Sequence, residues 1–210
     1  PPGPRAPPGR RPRRVAAGRD EVRVARAAAG DGPPELWTAR HVVLATPLHV
    51  TARLLTAPPA ALVAAAAAVP HAPWLVANLL LDDALADPPG APPAWDNVLH
   101  GSPLLGYVDA MHQSTRPHAG PTVLTAYWAL GGDDAATLRA QRARLLADDW
   151  RPWATAVVDD LARAHPDLPS RLRQVDLMRY GHAMAVPVPG VRGSAALAAL
   201  ARPHGRVSFA

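Results

Sequence analysis

The chain of 210 residues contains no cysteine, no lysine and no isoleucine, and its single phenylalanine is Phe209. The lack of cysteine excludes disulfides, zinc knuckles, iron–sulfur ligation and a thiol nucleophile. Aromatic residues make up only 5%, so aliphatic side chains and alanine must fill most of any core. Hydrophobic residues nevertheless reach 49%, which predicts a globular protein with a real core.

Long apolar runs are also missing. The richest stretch, residues 60–69, is mostly alanine and is too short to cross a bilayer. The first residues lack the apolar region of a signal peptide. We therefore predict no transmembrane segment and a cytoplasmic location.

The formal charge of +5 is concentrated at one end of the sequence. Residues 1–14 hold five arginines and no acidic residue, whereas arginine and acidic residues balance in the rest of the chain. This Pro/Arg-rich segment cannot bury enough apolar surface to fold, so residues 1–14 are predicted to be disordered. No aromatic residue lies between the arginines to stack on bases, which disfavours nucleic acid as a partner. A salt-dependent arginine arm remains the alternative hypothesis for this segment.

The pattern of apolar residues predicts an α+β protein. Alternation and turn residues indicate a hairpin from residue 21, a buried strand ending at Thr46–Pro47, and an antiparallel or mixed sheet. Helical spacing over residues 134–165 predicts a long helical segment, interrupted at Pro152. Strands at either end of the chain are expected to belong to a different layer, and the last one stops in mid-pattern, as if the polypeptide continues. The remaining predicted strands are 74–81, 97–99, 104–111, 122–128, 172–184 and 206–210, and the remaining helices are 50–55, a stretch ending at 69, and 194–201.

Motifs for self-contained chemistry are missing from the sequence. Ser102 and Ser194 lack the second glycine of a nucleophile elbow. The histidines at 100, 112 and 118 lack the spacing that aims two imidazoles at one ion, so no metal site is predicted. No strand–glycine loop–helix pattern for a dinucleotide is present either.

Four segments, in order, resemble flavin-containing amine oxidases and their phytoene-desaturase and protoporphyrinogen-oxidase relatives. They are residues 39–47 (ARHVVLATP), the strand at 74–81, residues 179–190 (RYGHAMAVPVPG) and residues 205–210 (GRVSFA). In that family the first segment returns to the FAD domain, the second opens the substrate domain, and the last leads to an FAD-contacting loop. The resemblance implies remnant strands of an incomplete FAD-binding domain at 15–57 and 186–210, and a substrate-binding domain at 58–185.

The same resemblance implies FAD as cofactor and a small molecule as substrate. It places Thr46, Pro47, His182 and Ala210 at the cofactor, and Tyr180 at the pocket wall. Trp74 and Tyr107, with Trp128, are predicted to line the substrate side. For each aromatic residue the alternative is a role in core or sheet packing.

The function implied is that of a fragment of an FAD-dependent oxidoreductase, which oxidises a C–N or C–C bond by hydride transfer to flavin and is inactive alone. The lysine that orients a water at the flavin in many amine oxidases is missing, so amine oxidation and a desaturase-like reaction both stay open. The alternative function is a non-catalytic α+β domain that binds a ligand or a partner protein.

Overall fold

The computed structural model describes residues 12–27, 33–87, 90, 94–116 and 118–210. Helices and antiparallel sheets are both present, which confirms the predicted α+β class. The chain divides into two compact units. One comprises the described residues up to Pro70 together with Ala185–Ala210, and the other comprises His71–Met184.

The first unit begins with a three-stranded antiparallel sheet. Its strands are β1 (Pro12–Ala17), β2 (Val22–Arg26) and β3 (Glu35–Ala39), in that order. The turn between β1 and β2 is closed by a 2.8 Å hydrogen bond from the Gly18 amide to the Glu21 carbonyl. Residues 12–14, the last three of the segment predicted to be disordered, belong to β1. This corrects the prediction, and the reason is that β1 pairs with the hairpin strand β2. Residues 1–11, which carry three of the five arginines of the hypothetical arm, lie outside the described residues.

A two-stranded parallel sheet follows in the same unit. Strand β4 (Val42–Leu44) pairs with β10 (Val207–Phe209), the last strand of the chain. These strands form a sheet separate from that of the other unit, as the terminal strands were predicted to do. Around them lie α1 (Leu48–Leu54), α2 (Ala60–Ala68) and α6 (Ala195–Ala199).

Helix α2 belongs to this first unit, although the sequence analysis groups residues 58–70 with the substrate domain. The physical reason is its apolar side chains. Leu62 and Ala65 of α2 are buried in one cluster with residues of β1, β2, β4 and β10. The buried members of this cluster are Val15, Val22, Leu44, Leu54, Leu55, Leu62, Ala65, Leu200 and Val207.

The second unit is built on a five-stranded sheet. Its strands are β5 (His71–Leu81), β6 (Asp96–Asn97), β7 (Gly106–Asp109), β8 (Thr122–Ala129) and β9 (Leu172–Ala185), in the spatial order β6-β7-β8-β5-β9. The pairs β6–β7, β7–β8 and β8–β5 are antiparallel. Strand β7 is shorter than predicted, because the chain turns into a 3-10 helix over Ala110–Gln113 whose first turn is capped by Asp109.

The long helical segment consists of α3 (Ala135–Ala147) and α4 (Trp150–Ala162), followed by the short α5 (Leu168–Arg171). The break falls before Pro152, which lies in the first turn of α4, where a proline removes no helical hydrogen bond. Asp134 and Asp149 cap the two helices. The Asp134 side chain accepts two backbone N–H groups, and that of Asp149 accepts one. The interruption was therefore predicted correctly, but the capping residues determine its position.

Helices α3 and α4 contribute to the core on one face of this sheet. Leu75, Leu79 and Leu124 are at most 1% exposed and belong to one cluster with Leu145 of α3 and Leu161 of α4. We call this the helix-covered face. Successive side chains of a strand point to opposite sides, so Trp74, Val76, Val108, Thr125 and Tyr127 lie on the other side, which we call the outer face.

Candidate functional site

The two parallel strands of the first unit end at the same edge. The Ala210 amide, directly after β10, donates a 3.2 Å hydrogen bond to the Leu44 carbonyl at the end of β4. Thr46 and Pro47 follow β4 within three residues. Three of the residues predicted at the cofactor, Thr46, Pro47 and Ala210, therefore come to one edge of one sheet. Such carboxyl-terminal edges of parallel strands are where ligands bind in α/β sheets.

The hydroxyl group of Thr46 is already engaged with α1. Thr51 Oγ1 donates to the Thr46 carbonyl at 3.0 Å, so the 2.7 Å contact between the two hydroxyls is a bond donated by Thr46. Thr51 is 1% exposed, which makes this pair a fixed part of the turn into α1. What Thr46 can still offer a ligand is a hydroxyl lone pair and a small side chain.

This edge fits one side of a flat cofactor. Ala45 and Ala210 are small and exposed at the strand ends and Thr46 is half-buried, so a planar ring can approach the backbone closely. The glycine-rich loop that binds the phosphates of a dinucleotide is not in this sequence. What this edge can offer a flat cofactor is contact with its ring, and not with its phosphates.

An aromatic groove lies on the outer face in the second unit. It is lined by Trp74, Trp95, Asp96, Leu105, Gly106, Val108 and Tyr127. The rings of Trp74 and Tyr127 meet edge to face, with their centroids 6.5 Å apart. Gly106 is required at its position, since its φ is 145° and a Cβ there would lie 2.4 Å from the Asn97 carbonyl oxygen. The predicted residue Trp74 is thus part of an open groove that also contains one carboxylate.

Tyr180 and His182 lie near the end of β9. The Tyr180 side chain is 48% exposed, and its hydroxyl donates to Met178 Sδ at 3.6 Å. The imidazole of His182 is 6.5 Å from that of His71, centroid to centroid. Both residues are at even positions of β9. Beyond its first residue, Leu172, which also packs on the core, the odd-numbered Val175 and Leu177 are the ones that pack there. Tyr180 and His182 consequently share the outer face with Trp74.

Tyr107 lies on the opposite side of the sheet from these residues. It is 4% exposed, and its hydroxyl is 2.6 Å from His165 Nε2. Burial raises the pKa of the Tyr107 phenol, and the negative charge of Asp109 raises it further. Trp128 is on the same side, where its ring meets that of Trp153 edge to face at 5.3 Å. Both side chains face the helices and not the groove.

Several residues of this region were missed from the sequence. Tyr127 and Trp95 line the groove with Trp74. Arg142 donates to the Gly181 carbonyl, between Tyr180 and His182, and Arg179 donates to a carbonyl at the end of α3. The alternation of β8 contains a signal for Tyr127, which shares the side of Thr125 and not that of Leu124. The contacts of the two arginines join segments more than 30 residues apart and have no local signal.

Two further findings concern the described residues as a whole. None of their helices combines the length and the apolar content needed to pass through a bilayer. In the same ranges, no three His, Asp or Glu side chains come together as ligands for a metal ion.

The chain matches no protein-family model and no curated protein, but its fold matches solved oxidases. Cyclohexylamine oxidase from Brevibacterium oxydans IH-35A superposes with a TM-score of 0.64 at 17% identity, covering 95% of this chain and 42% of that one. Wild-type putrescine oxidase bound to putrescine gives a TM-score of 0.60 at 14% identity, covering 95% of this chain and 42% of that one. A protein assigned as a protoporphyrinogen oxidase, from Exiguobacterium sp. 255-15, gives a TM-score of 0.55 at 18% identity, covering 93% of this chain and 40% of that one.

These matches define the class of fold. The chain has a partial amine-oxidase-like fold, which confirms the flavin-family resemblance found in the sequence. It spans less than half the length of the solved structures it matches.

Proposed function

We propose that this chain is part of an FAD-dependent oxidoreductase, which oxidises a C–N or C–C bond of a small molecule by hydride transfer to flavin. The observation that carries the proposal is the joint ending of β4 and β10, which brings Thr46, Pro47 and Ala210 to one edge within an amine-oxidase-like fold. We also propose the cytoplasm as its location, which follows from the sequence analysis alone.

The proposed roles follow from the chemistry of each position. Bound flavin would accept the hydride equivalent, so the protein has to place the substrate and exclude water. Thr46, Pro47 and Ala210 would contact the cofactor through small side chains and backbone groups, and His182 is assigned to the cofactor by the sequence resemblance. Trp74 and Tyr180 would offer apolar, flat surfaces to the substrate. Tyr107 would support that surface from the helix-covered face through its bond to His165.

The direct test uses protein made from the full natural reading frame. We expect it to carry the visible absorbance of an oxidised flavin and to lose that absorbance when an oxidisable substrate is added without oxygen. Full-length protein that is colourless and does not bind added FAD would contradict the proposal.

A matched pair of variants tests the edge itself. Ala210→Trp places a large ring where β10 ends and should strongly reduce the FAD content of the purified protein. Ala201→Trp, at another exposed position of the same unit, should leave the FAD content unchanged. Equal FAD content in both variants would show that Ala210 is not at the cofactor.

The second candidate is a non-catalytic α+β domain that binds a ligand or a partner. The observation that favours it is the aromatic groove, whose lining residues all belong to the second unit. This candidate predicts that ligands bind to colourless protein and quench tryptophan fluorescence, and that Trp74→Leu removes the binding. Binding that requires flavin would favour the oxidoreductase.

A further inference from the structure

Two arginines connect α3 to the strand end that carries Tyr180 and His182. Arg142, on α3, donates from Nε to the Gly181 carbonyl at 2.5 Å and from a terminal nitrogen to the His71 carbonyl at 2.8 Å. One guanidinium group thus joins a helix to the end of β9 and to the start of β5. The fork of donors in arginine can hold two carbonyls in a fixed relative position.

Arg179 makes the reverse connection, from β9 to α3. Its guanidinium group contacts the carbonyls of Leu145, Leu146 and Asp148 at 3.3, 3.5 and 3.0 Å. These carbonyls lie at the carboxyl end of α3, where backbone acceptors lack helical partners and carry partial negative charge. A cation from the strand therefore caps the helix, while a cation from the helix binds the strand.

The two elements lie close together at Gly181. A Cβ at this position would be 3.3 Å from Leu146 Cδ1 and 3.5 Å from the Arg142 side chain. Neither arginine has an ion pair with a carboxylate among the described residues. Both guanidinium groups are therefore committed to backbone carbonyls, which points to a role in holding the backbone.

The position of β9 in the sheet explains why such an attachment is needed. Strand β9 is at the edge of the five-stranded sheet, so β5 is its one neighbour there among the described strands. An edge strand held from one side frays more readily than a central one. Arg179 and Gly181 face α3, and alternation directs Tyr180 and His182 to the outer face. Whatever holds the odd-numbered residues also determines where the even-numbered side chains point.

We propose that Arg142 and Arg179 act together as positioning residues, an arginine clamp that fixes the end of β9 and with it the rings of Tyr180 and His182. Its consequence for turnover rests on the proposed oxidoreductase function. The clamp touches neither substrate nor cofactor in this proposal. It acts through the orientation of the Tyr180 and His182 side chains, because small misplacements of groups around a reacting centre reduce the rate strongly.

The experiment uses the full-length protein with Arg142→Met, Arg179→Met and the conservative variants Arg142→Lys and Arg179→Lys. We expect each methionine variant to lower kcat by about 10- to 100-fold while FAD content and melting temperature stay near those of the parent. The lysine variants, which keep a cation for one carbonyl, should recover part of the loss. Arg139→Met, at an exposed position of the same helix, is the matched control and should have the kcat of the parent.

Coupling to Tyr180 separates the clamp from a general structural role. Tyr180→Leu should lower kcat in the parent but cause little further loss in Arg142→Met, because residues that act through one another are not additive. Independent, multiplying losses would overturn the proposal. The proposal would also be overturned if both methionine variants bound flavin and had the kcat of the parent.

Hydrogen exchange tests the clamp without any turnover. In Arg142→Met and Arg179→Met the amides of residues 179–184 should exchange faster, and those of β8 should not. Unchanged protection of residues 179–184 in both methionine variants overturns the clamp. If the methionine variants are unstable, the lysine variants are measured instead, and unchanged protection in both of them overturns it as well. A colourless full-length protein would contradict the proposed function, and the exchange data would then decide the clamp by themselves.

Discussion

The two faces of the five-stranded sheet use the same alternation of side chains for different purposes. On the helix-covered face, aliphatic residues such as Leu75, Leu79 and Leu124 are fully buried. On the outer face, Trp74 and Tyr127 form an open groove, and Tyr180 is half exposed. The comparison indicates that one face supplies the buried core of the unit and that the other leaves its side chains accessible.

The largest effect that this comparison predicts concerns two adjacent residues of β5. Leu79 is completely buried and Leu80 is partly exposed on the other face. Leu79→Ala should lower the free energy of unfolding by about 3 kcal/mol, because it removes buried methyl groups and leaves a cavity. Leu80→Ala should cost less than about 1.5 kcal/mol, since only part of its side chain leaves an apolar environment. Urea unfolding followed by tryptophan fluorescence measures both, and equal costs would show that the two faces do not differ.

A smaller effect is expected from Tyr107→Phe, which removes the buried hydrogen bond to His165. The loss should be about 1–2 kcal/mol near neutral pH, because the histidine nitrogen is left without that partner. Unfolding measured by urea at neutral pH gives this value directly. Tyr107→Phe that is as stable as the parent would show that the bond contributes nothing.

The same variant tests the raised pKa of Tyr107. Below pH 10 the phenol is protonated in both folded and unfolded chains, so its contribution is complete there. Above the unfolded pKa of 10.0 the unfolded phenol ionises first, because burial and the charge of Asp109 raise the folded pKa. The free energy of unfolding should then fall with pH, and more steeply in the parent than in Tyr107→Phe. The free energy of unfolding should be followed from about pH 9 to 11, roughly one pH unit either side of the unfolded pKa. Equal slopes of this free energy against pH in the two proteins would contradict this account.

The smallest effect concerns the exposed cap of α3, which helps to hold the helix-covered face. Asp134 accepts the amides of Ala136 and Thr137 at 2.7 and 2.8 Å. The backbone hydrogen bond from Thr137 is the main reason why the pKa of Asp134 lies below its usual value of 3.8. Asp134→Ala should lower the melting temperature slightly at neutral pH, whereas Asp134→Asn should retain most of the cap.

The pH dependence of this cap follows from the direction of the shift. A lowered folded pKa means that the contribution is present above pH 3.8 and is lost as the pH falls through the folded value. The difference between the parent and Asp134→Ala in melting temperature should therefore shrink in acid. A difference that stays constant down to the lowest pH at which the protein folds would assign the cap to something other than the carboxylate.

Much of the fold could be predicted from local patterns. The apolar run over residues 74–81 indicates a strand, and β5 contains it with three more residues at its start. The helical spacing over residues 134–165 indicates an interrupted helical segment, which is present as α3 and α4. Strand β1 was missed, because it is formed by part of the Pro/Arg-rich end that local composition marks as unfolded. Pairing with β2 and burial of Val15 outweigh that composition.

The candidate site was predictable in part. Thr46 and Pro47 could be assigned to a strand end because proline stops a ladder. Trp74 and Tyr107 looked alike in the sequence, yet they lie on opposite faces. The difference depends on the register between strands, which pairs Val76 with Tyr127 and Tyr107 with Ala126.

By itself the sequence determined the elements of this protein, the absence of cysteine chemistry and the resemblance to flavin-dependent oxidases, since each of these depends on residues close together in the chain. Tertiary structure alone decided the hydrogen bond between the Ala210 amide and the Leu44 carbonyl, and that Arg142 and Arg179 hold the end of β9. The physical reason is that such contacts arise when strand pairing and helix packing bring distant backbone groups within hydrogen-bonding distance. No local propensity encodes a bond between a helix and a carbonyl 39 residues away.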